Sequence, residues 1–378
     1  MASPRRTLTT LFLIVFADLV GFGIVIPLLP LYAEHFHPTP WEFGLLMASY
    51  SAMQFVFSPL LGRLSDRVGR RPVLLISLLG SVGGSVLFAL SHSLAWLFAS
   101  RLLAGGCGGN IATAQAVIAD TTPPEKRAHG MGMIGAAFGL GFIAGPAMAG
   151  LLAPISMGAP GWAAAACSSA AWVMTLLFLP ETRPRTTASA PATPASGFSR
   201  LAFALDHREL APLLAIGFFV VTGFAAFEVT FAQFLHDRLA LPHSGVSFLF
   251  VYVGVLAATV QGGLVGRASR RFGERALLLT GLVATAAGLA LLATAHRLGA
   301  VLAVLPLVAL GSGFVMPSLS SLVSKSAHAD EQGAALGAWG VAAPQLGAAV
   351  LAVAAAVGGS MLLRRRPEPI APKPEALG

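Results

Sequence analysis

The stretch Gly62-Arg-Leu-Ser-Asp-Arg-Val-Gly-Arg-Arg71 returns 204 positions later as Gly266-Arg-Ala-Ser-Arg-Arg-Phe-Gly-Glu-Arg275. Six of the ten positions are identical. Each copy fills the gap after the second long apolar stretch of its half of the chain. A repeat at this distance, in matching places, marks a duplicated half.

The charge pattern extends that reading. Twenty-one of the 24 Lys and Arg residues fall in every second gap between apolar stretches. Only Arg101, Arg238 and Arg297 lie elsewhere. Basic residues accumulate on the cytoplasmic side of a membrane, so the N-terminus and the gaps at 63–72, 120–129, 181–209 and 267–275 are expected to be cytoplasmic. Spanning helices need about 20 mostly apolar residues. Such stretches lie near 8–32, 43–62, 73–92, 95–118, 130–153, 161–180, 210–234, 245–266, 276–295 and 299–323, with a further apolar region at 333–363. In lipid the backbone must satisfy its own hydrogen bonds, and runs this long predict helices, not barrel strands.

Composition agrees. The chain is 56% hydrophobic and 11% charged, against about 25% charged for a soluble domain. Its net charge of +8 is explained by the positive-inside bias and anionic lipid, and no nucleic acid partner is inferred. Cys107 and Cys167 fall inside spans and are expected to be free thiols. The first apolar run lacks a small-residue cleavage site, so it is expected to be retained as span 1.

Residues 183–208 are small, polar and Pro-rich, the composition of a linker. They separate an N-terminal six-helix bundle (1–182) from a C-terminal bundle (209–363), followed by a basic, Pro-rich tail (364–378). The fold class is therefore an all-α polytopic membrane protein. Two pseudo-symmetric bundles, of six and of five or six spans, enclose a central cavity. The C-terminal count stays open because two signals conflict. The length of 333–363, interrupted by Pro344, favours one crossing. Arg364-Arg365-Arg366 favours two crossings or a re-entrant piece.

In the repeated gap, Gly62 and Gly69 are expected to allow a tight turn between closely approaching helices. Asp66 is the lone acid among Arg63, Arg67, Arg70 and Arg71; it can pair with them or cap a neighbouring helix N-terminus. Glycines four apart, Gly105 with Gly109 (and Arg101 four before Gly105), Gly135 with Gly139, and Gly141 with Gly145, suit backbone-to-backbone packing in lipid. Pro146 frees the carbonyl of Phe142 and is expected to bend span 5. Ionisable groups inside spans are Asp18, Arg101 and Glu228, with Asp120 ending span 4. Such groups are costly in the membrane and usually face a working cavity. They are the proton-coupling candidates, Asp18 first; a structural hydrogen-bonding acid and a snorkelling arginine are the plainer alternatives. Gln54, Asn110, Gln115, Gln233 and Gln261 could line a cavity or bond neighbouring helices. Phe138, Phe142, Phe224 and Phe227 could give it an aromatic wall or face lipid. No metal-ligand spacing or paired catalytic constellation lies in the spans, so an enzyme is not expected.

The 62–74 stretch resembles the loop 2–3 signature of the major facilitator superfamily. Arg101-x-x-x-Gly105 resembles that family's buried-arginine motif. Gly132-x8-Gly141-x3-Gly145-Pro146-x2-Ala149-Gly150 is similar to the span 5 motif of its drug/proton antiporters, with Ala149 where a glycine is usual. Leu179-Pro180-Glu181-Thr182 resembles the usual close of span 6. The resemblance covers roughly residues 8–325. It implies a cytoplasmic charge cluster of Asp66, Arg70 and Asp120 that gates two rocking halves. It also implies proton-coupled transport by alternating access with no cofactor beyond the proton gradient, in the bacterial inner membrane, by a monomer. Within the family, span 1, the 62–71 stretch and span 5 most resemble tetracycline-type and related drug/proton antiporters. Tetracycline exporters carry an acid in span 3, where this chain has Ser77-Leu-Leu-Gly-Ser-Val-Gly-Gly-Ser85, so another hydrophobic drug or a producer's own metabolite fits better. A cavity of Phe, Leu, Val and Ala with few directional groups favours amphipathic, weakly basic or neutral molecules. The alternatives are a metabolite symporter or facilitator, and a non-transporting scaffold or sensor with a shortened C-half.

Overall fold

The computed structural model describes residues 4–122, 124–182 and 210–326. The linker at 183–208, the apolar region at 333–363 and the tail at 364–378 lie outside the described residues. Among the described residues the elements are helices, with one π-helical turn.

The N-terminal bundle begins with α1 (Pro4–Val25) and α2 (Leu29–Glu34). They form one span, broken where Pro27 has no N–H to donate. Then come α3 (Pro40–Val68) and α4 (Arg70–Ala89). Thr39 and Glu42 start α3 with a reciprocal capping box: Glu42 N–H donates to Thr39 Oγ1 (3.3 Å) and Thr39 N–H to Glu42 Oε2 (2.8 Å). At 1.5 Å per residue, 29 residues reach about 44 Å, well past a hydrocarbon core of about 30 Å. The 62–68 segment is therefore the projecting last turns of a helix, not a loop. Gly69, at φ 112°, ends α3 before α4 begins.

Span 4 is not continuous. It divides into α5 (Leu94–Gly106) and α6 (Asn110–Thr121). The glycines at 105, 106, 108 and 109 weaken the helix, and a neighbour accommodates the break. A side chain at Gly105 would collide with the Tyr50 backbone, and Gln54 Nε2 donates to Gly108 O (3.1 Å). The helix α7 (Pro124–Leu152) runs on through Pro146, and α8 (Ala159–Phe178) closes the bundle. Added Cβ atoms at Gly141 and Gly145 would lie 2.8 Å from Leu19 Cβ and 2.6 Å from Gly23 Cα. That is how α7 docks on α1.

The second half contains α9 (Leu210–Leu239) and α10 (His243–Thr259). A π turn (Val260–Leu264) joins α10 to α11 (Val265–Phe272). Then follow α12 (Glu274–Ala293) and α13 (Leu298–Ser326). Gly273, 204 positions after Gly69, also has positive φ (79°) and also begins a helix. The sequence repeat is thus a repeat of backbone geometry. Five helices among the described residues are long and apolar enough to cross a membrane, or six with the bent α3. The halves of span 4 are each too short to be counted alone, and 136–152, 210–224 and 243–259 are shorter apolar helices.

The two bundles meet at the end opposite the repeated basic segments. Leu31 of α2 packs in one buried cluster with Phe231, Ala232, Leu235 and Val246 of the second half. Gln233 Nε2 donates to Glu34 Oε1 (2.6 Å), and the Tyr32 and His243 rings lie 6.2 Å apart. Deeper along the pair α7–α10, a Cβ at Gly254 would lie 3.0 Å from the Phe142 carbonyl oxygen.

Candidate functional site

At the basic end, Arg70 is buried (7% exposed) although it carries a full charge. A buried charge needs partners, and it has them on three sides. Its Nη2 lies 2.8 Å from Asp66 Oδ1 and its Nε 3.0 Å from Asp120 Oδ2. Its Nη1 donates to Ser65 Oγ (2.7 Å). Asp66 therefore pairs with an arginine, and a different acid caps the helix. Arg70 N–H donates to Glu181 Oε1 (2.9 Å) and Arg71 N–H to Glu181 Oε2 (3.1 Å). Arg71 also donates through Nη2 to the Leu176 carbonyl. Four elements are thereby tied together: the end of α3, the start of α4, the end of α6 and the segment after α8. Arg67 is exposed. Gly62 sits inside α3 with nothing within 4 Å of an added Cβ. It makes no tight approach, and the turn belongs to Gly69 alone.

Within the N-terminal bundle a cavity of about 180 Å³ opens. Apolar walls come from Phe22, Ile111 and Phe138, and polar groups from Asp18, Tyr50, Gln54, Ser81, Arg101 and Asn110. Asp18 is held from three helices. Asn110 Nδ2 donates to Asp18 Oδ2 (2.6 Å) and lies 3.2 Å from Ser81 Oγ. Ser168 Oγ donates to Asp18 Oδ1 (3.4 Å). The break in span 4 positions Asn110, since it is the first residue of α6. Arg101 lines the same cavity from α5 and is 5% exposed. Its Nη2 donates to Ser100 Oγ (3.0 Å), and its guanidinium carbon stands 5.8 Å from the Phe88 ring centroid.

The remaining residues singled out by sequence are dispersed. Phe142 stacks on Phe138, centroids 6.4 Å apart, but Phe138 is the one that lines the cavity. Gln115 is exposed on α6, and Gln261 is exposed in the π turn. Gln233 joins the two halves instead of facing this cavity. Phe224 is 39% exposed, whereas Phe227 is buried against Phe231. Glu228 belongs to α9, and its side chain lies outside the described residues, as do the surroundings of Gly132. Gly150 packs near Ser247, with 3.0 Å from an added Cβ to Ser247 Cβ. Sequence reasoning did not single out Ser81 and Ser168, which complete the Asp18 cluster, or the capping role of Glu181. Among the described residues no group of three or more His, Cys, Asp or Glu could hold a metal ion.

Comparison with known proteins places these features. The family model of the Major Facilitator Superfamily matches residues 11–352, a match that extends past residue 333. The chain is 36% identical over 327 residues to the class E tetracycline resistance protein of Escherichia coli, covering 85% of this chain and 80% of that one. It is 31% identical over 342 residues to multidrug resistance protein 1 of Bacillus subtilis, covering 89% and 86%. Among solved structures it is similar to the human organic anion transporter TETRAN, at 27% identity, TM-score 0.71 and 95% coverage of each chain. A bacterial homologue of the lysosomal transporter Spinster, solved inward-facing, shares the fold at 17% identity, TM-score 0.76, covering 93% of this chain and 82% of that one.

Proposed function

The chain belongs to the Major Facilitator Superfamily, and from that premise we propose that it exports small amphipathic molecules in exchange for protons. As a member it is a multi-pass membrane transporter, not an enzyme. The observation that carries the proton reading is Asp18. A carboxyl group in the wall of a largely apolar cavity, held by Asn110 and Ser168, can bind and release a proton where a substrate also binds.

The basic gaps favour an orientation with the N-terminus and the Arg70 cluster on the cytoplasmic side of a bacterial inner membrane. The Glu34–Gln233 contact then lies outside, and this conformation is closed to the outside. Exchange between states requires that contact to part and the two halves to rock. The Arg70 cluster holds the cytoplasmic end of the N-half rigid during that motion. The only coupling partner needed is the proton gradient, with no bound cofactor.

Drug efflux is the substrate reading favoured by relatives named for tetracycline and multidrug resistance. Span 3 here offers Ser81 and Ser85 to the cavity and no carboxylate, which favours an amphipathic drug or metabolite other than tetracycline. The test is substrate-dependent proton release from vesicles or proteoliposomes. Saturable uptake of a sugar, with no drug phenotype in a broad screen, would replace this reading with a metabolite carrier.

A further inference from the structure

We propose that Arg101 is the binding site for a single acidic group on the transported molecule, so that the cavity selects amphipathic monoanions. The proposal rests on the transport reading above and deepens it.

A guanidinium carries five N–H donors. In Arg101 one is used by Ser100 Oγ (3.0 Å), and Nε, fully shielded, has no acceptor among the described residues. Both ion pairs among the described residues belong to Arg70, not Arg101. The side chain is 5% exposed and lines the cavity. Leaving such a charge buried and unpaired is costly. The contrast with Arg70 is direct, since Arg70 is equally buried and has two carboxylates. Among the described residues no carboxylate lies within ion-pair distance of Arg101, and the space that it lines is the cavity.

The surroundings fix the class of molecule. Phe22 and Phe138 offer apolar walls, suited to a ring or chain. Among the described residues Arg101 is the one basic residue lining the cavity, so a second negative group would have no basic partner among them. Asp18, which lines the same cavity, would oppose it further when ionised. A carboxylate, enolate or phenolate can take two parallel N–H bonds from the fork. This choice departs from the weakly basic or neutral molecules that composition alone suggested.

The test uses the purified full chain in lipid nanodiscs and three fluorescent probes of one ring system: 1-pyrenebutyrate, its methyl amide, and 1-pyrenebutylamine. Wild type should bind the acid about tenfold more tightly than the amide, a ratio equivalent to about 1.4 kcal/mol. It should bind the amine least well. Arg101→Gln should bring the acid down to the affinity of the amide, with the amide unchanged, and Arg101→Lys should keep part of the preference. An acid-to-amide ratio near one in wild type overturns the proposal. So does a preference that survives Arg101→Gln, because the acid is then recognised elsewhere. If Arg101→Gln does not give monodisperse protein, the wild-type ratio and Arg101→Lys decide. Failure of substrate-dependent proton release would remove the efflux reading while leaving this binding result intact.

Discussion

Glu181 stands 111 positions after Arg70, yet its carboxylate accepts the Arg70 and Arg71 backbone N–H groups at 2.9 and 3.1 Å. The segment that leaves the last helix of the N-half thus caps the helix that follows the repeated motif. Loss of such a cap costs about 1 kcal/mol. Glu181→Ala is expected to lower the melting temperature of the purified protein by a few degrees. Glu181→Gln, which keeps an acceptor, should lower it less. Equal melting for wild type and Glu181→Ala would show that the cap is energetically idle.

Asp66 and Asp120 share Arg70, but only Asp66 sits in the repeated motif, and Arg270 occupies its place in the second copy. From this asymmetry we propose a gating role for Asp66. Asp66→Asn should slow transport several-fold while ligand affinity stays within about threefold. A large loss of affinity with normal conformational exchange would place Asp66 in binding instead.

The Glu34–Gln233 hydrogen bond joins the halves at the end opposite the repeated basic segments (2.6 Å). With Cys107 and Cys167 changed to serine, a Glu34→Cys, Gln233→Cys pair treated with a short bifunctional thiol reagent should stop transport. Either single variant, treated alike, should keep it. Full transport in the linked protein would mean that this end does not open.

Glycine spacing alone does not say which glycines pack. A Cβ on Gly145 would meet Gly23 Cα at 2.6 Å, while one on Gly139 meets nothing within 4 Å. Overpacking of this kind costs about 1–3 kcal/mol. Gly145→Ala should reduce folded yield and melting temperature, and Gly139→Ala should leave both unchanged. The reverse order, measured by size exclusion and thermal melting, would rule out the α1–α7 packing.

Much of this architecture was legible from two periodicities: the length of the apolar runs and the alternation of basic gaps. Those depend on lipid thickness and charge asymmetry, which act on the whole segment. What they miss is set by neighbours distant in sequence. The break at 107–109 follows from glycines pressed against Tyr50 and Gln54, and hydropathy does not register it. Gly62 and Gly69 look equivalent in the motif, but only Gly69 takes a positive φ. Asp18 was conspicuous as an acid in an apolar run. Its partners Ser81 and Ser168 are common residues, and only the fold brings them to it. Likewise Arg101 could be placed in a span by counting, whereas the absence of an acid paired with it among the described residues is a property of the fold.

Asp18 is the residue proposed to let protons drive export. The most direct measurement is accumulation of an amphipathic dye in energised everted vesicles containing wild type or Asp18→Asn. Wild type should concentrate the dye and release protons as it does so, and a protonophore should abolish both. Asp18→Asn should lose uphill accumulation and proton release while retaining downhill dye exchange. If Asp18→Asn still concentrates the dye against its gradient, Asp18 is not the coupling residue and the central claim is wrong.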